Sequence, residues 1–139
     1  SVCETWGKTD TGYYLSDVFR ERLAFPELKR KVAHLHARDK GQVLIEDAAS
    51  GQSLLQELKR ETSLPIKAVK VDKDKVARLN AVSALIESGR VYLPESAPWL
   101  HDFIEEVSAF PSGEHDDQVD AMTQALTELS GGADSRFWL

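Results

Sequence analysis

An α/β fold with a partly parallel sheet and covering helices is what this 139-residue chain predicts. Three observations carry the prediction. An apolar run, Val43-Leu44-Ile45, stops abruptly on two carboxylates, Glu46 and Asp47, and a small-residue turn leads from there into a helix near Gly51. A second strand-like run, Ile66 to Val71, follows that helix, and the chain opens with two β-prone stretches around a turn. The open C-terminal edge of such a sheet is where α/β proteins place ligands and catalytic groups. Two adjacent acids would be costly at the end of an apolar strand without water or a cation to compensate them.

Taken in order, Ser1 to Trp6 and Tyr13 to Phe19 alternate as strands, and Gly7 to Gly12 supplies a hairpin's turn residues. Phe25-Pro26 opens a helix, with Pro26 suited to the first turn and Leu28, Val32 and Leu35 at helical spacing. His34 and His36 fall on or near it and read as surface or half-buried structural histidines. The helix after the Val43 strand runs through Leu54, Leu55 and Leu58 to the break at Thr62-Ser63-Leu64-Pro65. Asp72 or Asp74 can cap the next helix, whose apolar stripe reads Val76, Leu79, Val82 or Ser83, and Ile86, with Gly89 as its stop. Arg90 to Leu93 is a brief strand. A helix starting at Ser96-Ala97-Pro98 lines Trp99, Phe103, Val107 and Phe110 along one side, and Trp99 reads as core. The last helix follows His115-Asp116-Asp117-Gln118-Val119-Asp120, with Val119, Met122, Leu126 and Leu129 inward. Beyond Ser130-Gly131-Gly132 the tail is expected to fray.

Apolar residues at 42% and charged residues at 29% are ordinary for a soluble globular domain, and the length suits a single one. The apolar runs are too short to span a bilayer, and no signal-peptide pattern opens the chain. The lone Cys3 reads as a small buried hydrophobe and fits a reducing cytoplasm. The net charge of -6 argues at first against a nucleic-acid partner, but its distribution matters more. Lys59, Arg60, Lys67, Lys70, Lys73, Lys75 and Arg78 form a basic band, whereas from Pro94 onward Arg136 is the only basic side chain among ten acids.

Two acidic clusters could carry chemistry: Glu46-Asp47 at a strand end, and Asp116, Asp117 and Asp120 at a helix start. Capping and the helix dipole account for one or two of the aspartates, not for three in five residues. Asp116 and Asp120 share a helix face, and Asp117 is turned about 100° away. Should the clusters meet, raised pKa values or cations must neutralise them. Hard oxygen ligands suit Mg²⁺ or Mn²⁺ better than Zn²⁺. Two such ions about 3.5–4 Å apart suit phosphodiester hydrolysis, and the basic band would then hold the DNA backbone. The chain contains no P-loop, no Gly-x-Ser-x-Gly elbow and no His-Glu-x-x-His helix.

At these residues the sequence resembles the C-terminal nuclease domain of tailed-phage or prophage terminase large subunits. The resemblance runs in order through Trp6-Gly7, Gly12 to Arg20, Phe25 to Lys29, Val43 to Leu54 (Val-Leu-Ile-Glu-Asp-Ala-Ala-Ser-Gly-Gln-Ser-Leu) and Asp74 to Arg78. It continues through Gly89 to Pro94, Pro98 to Leu100, and Phe110 to Ala121 (Phe-Pro-Ser-Gly-Glu-His-Asp-Asp-Gln-Val-Asp-Ala). It implies an RNase H-like mixed sheet flanked by helices and a Mg²⁺- or Mn²⁺-dependent endonuclease. Such an enzyme cuts concatemeric double-stranded viral DNA during packaging in the bacterial host cytoplasm. Its implied partners in the full-length parent are the portal protein and the small terminase subunit, with no membrane. The implied catalytic acids are Glu46, with Asp47 the near alternative, and Asp116 or Asp117; Asp120 would support the metal. Lys73, Lys75 and Arg78 would meet phosphates.

The family's first catalytic Asp lies on a strand upstream of the segment that begins here at Ser1, and its ATPase motor precedes the nuclease. Residues 1–139 are thus expected to form a single nuclease domain lacking its first strand. It should have an extra open sheet edge, poor metal binding and weak or no cleavage. Two other readings compete: another RNase H-like nuclease such as a resolvase or transposase, and a non-catalytic DNA-binding or portal-docking module. Acids converging on one cation's reach would favour a nuclease; acids on separate faces would favour the module.

Overall fold

The computed structural model describes residues 2–47, 49–70, 75–131 and 135–138, excepting the side chains of 46, 47, 49–51, 75 and 135–138. The chain starts as the expected hairpin. Strand β1 (Val2–Lys8) pairs antiparallel with β2 (Tyr13–Arg20), with a register shift at Thr5/Trp6. Helix α1 (Phe25–Asp39) has Pro26 in its first turn, and β3 (Gln42–Asp47) ends on the two acids. Helix α2 (Ala49–Glu61) leads to β4 (Ile66–Lys70), which runs parallel to β3, Val43 opposite Ile66 and Asp47 opposite Lys70. Helix α3 (Lys75–Glu87) is followed by the two-residue strand β5 (Val91–Tyr92), then α4 (Leu100–Ala109), α5 (Asp117–Ser130) and β6 (Ser135–Trp138). Residues 72–74, from which the cap of α3 was expected, lie outside the described residues.

The six strands form one mixed sheet in the order β4-β3-β6-β1-β2-β5. Alternation along β3 explains why its apolar run is uninterrupted. Leu44 is buried with Trp6, Leu15, Val82, Phe103 and Met122 against α3, α4 and α5. Val43 and Ile45 are buried on the other face with Cys3, Val32, Leu35 and Leu58 against α1 and α2. Both faces of the sheet are therefore covered by helices. Trp99 packs edge-on to Phe103 at 6.2 Å, in agreement with a core role.

Three expectations need correction. Against the expected extra open edge, β6 lies between β1 and β3, antiparallel to β1 and parallel to β3. The tail accordingly does not fray throughout: unsatisfied amides and carbonyls on two adjacent strands attract a segment that local composition marks as a loose end. The stripe of α3 is also rotated. Leu79, Val82 and Leu85 face the core, while Val76 and Ile86 stand exposed, because the helix is apolar on several sides and only packing picks the buried one. At the opposite edge Gly12 is required. A Cβ there would lie 2.2 Å from the Arg90 carbonyl oxygen, which accepts the Tyr13 amide at 2.8 Å and so seats β5 on β2.

Candidate metal centre

Helix α5 sets the site because its two ends lie over opposite ends of the sheet. Near its C-terminus, Glu128 accepts from Lys67 at the start of β4 (2.8 Å), and the Leu129 carbonyl accepts from Lys8 at the end of β1 (3.0 Å). The end of α5 thus lies where β3 and β4 begin. Fourteen helical residues and six strand residues each extend about 20 Å. The start of α5 therefore lies toward the end of the sheet where β3 finishes on Glu46 and Asp47. Cross-sheet register agrees, since Leu44 and Glu4 are both level with Trp138.

At that start, carboxylate oxygens of Asp116, Asp117 and Asp120 all lie within 4.8 Å of one another. Asp116 and Asp120 are half-buried and Asp117 is exposed. The expected 100° divergence of Asp117 fails for a local reason. Asp116 is the residue before the helix, with φ -136° and ψ 9°, so it does not follow helical geometry, and Asp117 and Asp120 are the i,i+3 neighbours. The capping explanation fails too, because the Asp116 side chain makes no cap hydrogen bond.

The cap comes from α4. Glu106, buried, accepts the Val119 amide on Oε2 at 2.9 Å and the Gln118 side-chain amide on Oε1 at 3.1 Å. Beneath it lies Glu4, fully buried on β1, whose Oε1 accepts from Trp6 Nε1 at 2.8 Å and whose Oε2 has no hydrogen-bond partner among the described residues. Burial pushes the Glu4 carboxyl well above the ordinary range; the Trp6 bond opposes the rise and nearby Glu106 adds to it. Neither glutamate stands out in the sequence as a site residue. The available signal was a carboxylate inside an apolar run, Val2-Cys3-Glu4-Thr5-Trp6, and another beside the Phe103/Val107 stripe.

For the remaining candidates, Glu46 and Asp47 are the last two residues of β3, two positions beyond Leu44 and Ile45, and their side chains lie outside the described residues. Lys73 also lies outside them. Lys75 is the first residue of α3, and Arg78 is half-buried on the same helix, which packs against α5. Among the described residues one further acidic group could hold an ion, His101, Asp102 and Glu105, all exposed along one side of α4. His34 is exposed and His36 half-buried on α1.

The family described as Terminase RNaseH-like domain matches residues 2–129. The chain belongs to that family. This terminase domain is the C-terminal nuclease domain that the ordered motifs resemble, and its mixed sheet flanked by helices is consistent with an RNase H-like fold. The family supports a nuclease role in phage DNA packaging. Comparison with curated proteins and with solved structures returned no significant match. Among the described residues no helix is long and apolar enough to cross a membrane. The Asp116, Asp117 and Asp120 cluster offers oxygen donors that could hold a metal ion.

Proposed function

We propose that this terminase domain is a Mg²⁺- or Mn²⁺-dependent endonuclease that hydrolyses phosphodiesters of concatemeric viral DNA, with Glu46, Asp116 and Asp117 as its catalytic acids. The observation that supports the reading is the gathering of three aspartate carboxylates within 4.8 Å of one another at the start of α5, in a sheet whose β3 ends on Glu46 and Asp47. Asp47 and Asp120 complete the ligand set. When bound, a pair of such ions supplies electrophilic stabilisation of the attacking and leaving oxygens. The protein's own part is to hold the acids at the end of a strand and at the start of a helix, two regular elements that fix their positions. Lys73, Lys75 and Arg78 hold the DNA phosphates; helix α3 brings Arg78 beside the helix that carries the aspartates. The work is done in the host cytoplasm, with the portal protein and the small terminase subunit as partners of the full-length parent.

Supercoiled-plasmid nicking at high protein concentration tests this. The acids of β3 and α5 alone should support weak nicking that requires Mn²⁺, and Glu46→Ala or Asp117→Ala should each remove it. Nicking that survives both substitutions would overturn the assignment. Robust cleavage lost in Glu46→Ala would keep the assignment and refute the expected weakness.

A further inference from the structure

The first turn of α5 has amides that need acceptors from outside the helix. The residue placed to supply one is Asp116, an aspartate at the position before the helix, a type strongly preferred there. It does not do so. Glu106, reaching across from α4, accepts the Val119 amide and is anchored by the Gln118 side chain, and all three residues are buried. Val119 is the third residue of the helix, the position whose amide a capping side chain ordinarily takes. One acceptor suffices for that amide, so the carboxylates at 106 and 116 are alternatives for the same task.

We infer that Glu106 is a positioning residue for the metal cluster: by capping α5 from a neighbouring helix it leaves the Asp116 carboxylate to stand with Asp117 and Asp120. This rests on reading the three aspartates as the metal site. The cap also acts at a distance in sequence, thirteen residues from Val119, so it fixes α4 against the start of α5 as well. A cap made by Asp116 itself would satisfy the helix equally well and draw one of the three oxygen donors away.

A double-mutant cycle separates this role from plain helix stabilisation. Mn²⁺ alone is titrated into the full chain and its binding read by paramagnetic broadening of NMR signals. Glu106→Ala should weaken Mn²⁺ binding about tenfold, because Asp116 swings to the vacated amide. Glu106→Gln keeps one acceptor oxygen and the side-chain shape, so it should fold even if the alanine variant does not, and should lose less. In an Asp116→Ala background Glu106→Ala should cause no further loss. An equal loss in both backgrounds would mean that Glu106 merely supports the helix, and would overturn the inference. A second arm needs no metal. Exchange of the Val119 amide should stay unchanged in Asp116→Ala and quicken about fivefold or more only when Glu106→Ala is added to it, which leaves neither carboxylate to cap; quickening in Asp116→Ala alone also overturns the inference. Failure of the unsubstituted chain to bind Mn²⁺ would sink the metal reading and the purpose of the cap with it. The exchange arm would then show separately which carboxylate caps the helix.

Discussion

The aspartates at the start of α5 and the glutamates beneath them are two carboxylate groups a few residues apart in space, and they are treated in opposite ways. Asp116, Asp117 and Asp120 are exposed or half-buried and stand within 4.8 Å of one another. Glu4 and Glu106 are buried, one held above its ordinary pKa range by burial and the other engaged by two amide donors. Crowded acids that face solvent can be neutralised by a cation that arrives from it. Buried acids must be neutralised by what the fold supplies, a proton or N–H donors. The lower pair therefore builds the floor, and the upper trio stands where an ion from solvent can reach it.

The largest expected effect breaks the upper group. Asp116→Asn combined with Asp117→Asn should weaken Mn²⁺ binding by about a hundredfold or more, while thermal unfolding shifts little or rises, since crowded like charges are removed. A marked fall in melting temperature would show that these aspartates serve the fold. Next comes the floor. Glu106→Ala should cost about 1–2 kcal/mol in urea unfolding, because the buried Gln118 amide loses its acceptor even when Asp116 takes over the Val119 amide.

Glu4 gives a smaller effect with a defined sign. A carboxyl that the fold holds protonated stabilises the native state fully below its ordinary value of 4.5, and that contribution is lost as pH rises through the raised folded value. Glu4→Gln keeps an acceptor for Trp6 and never has to ionise. It should gain on the order of 1 kcal/mol at pH 8 relative to the unsubstituted chain, with the gain shrinking toward pH 5. A gain independent of pH would argue against a perturbed Glu4. Smallest of all is the part-exposed Lys67–Glu128 ion pair, which marks the far end of α5; Lys67→Ala should cost less than about 1 kcal/mol and leave Mn²⁺ binding unchanged.

Much of this architecture was legible locally. The hairpin, the Val43–Asp47 strand and the stripe of Val119, Met122, Leu126 and Leu129 follow from alternation, helical spacing and turn residues, and these residues of α5 are indeed buried. The aspartate trio was legible as a cluster. Its geometry was not, since φ and ψ at Asp116 depend on how α5 is entered from the 111–115 loop, and the capping glutamate lies on a different helix. The face of α3 was misjudged because its apolar residues surround the helix, so no periodicity distinguishes Leu85 from Ile86.

By itself the sequence determined the kind of protein: which segments are strands and helices, which acids lie near their ends, and membership of the terminase nuclease family. The segments and their acids follow from near-neighbour spacing, a property of the chain before it folds, and the family follows from the ordered motifs that match it. Only the tertiary structure decided that β6 fills the place between β1 and β3, and that Glu106 rather than Asp116 caps α5. Both are choices among competing partners for the same backbone groups. Such competition is settled by which groups the packed sheet and helices bring within about 3 Å, and no local pattern encodes that.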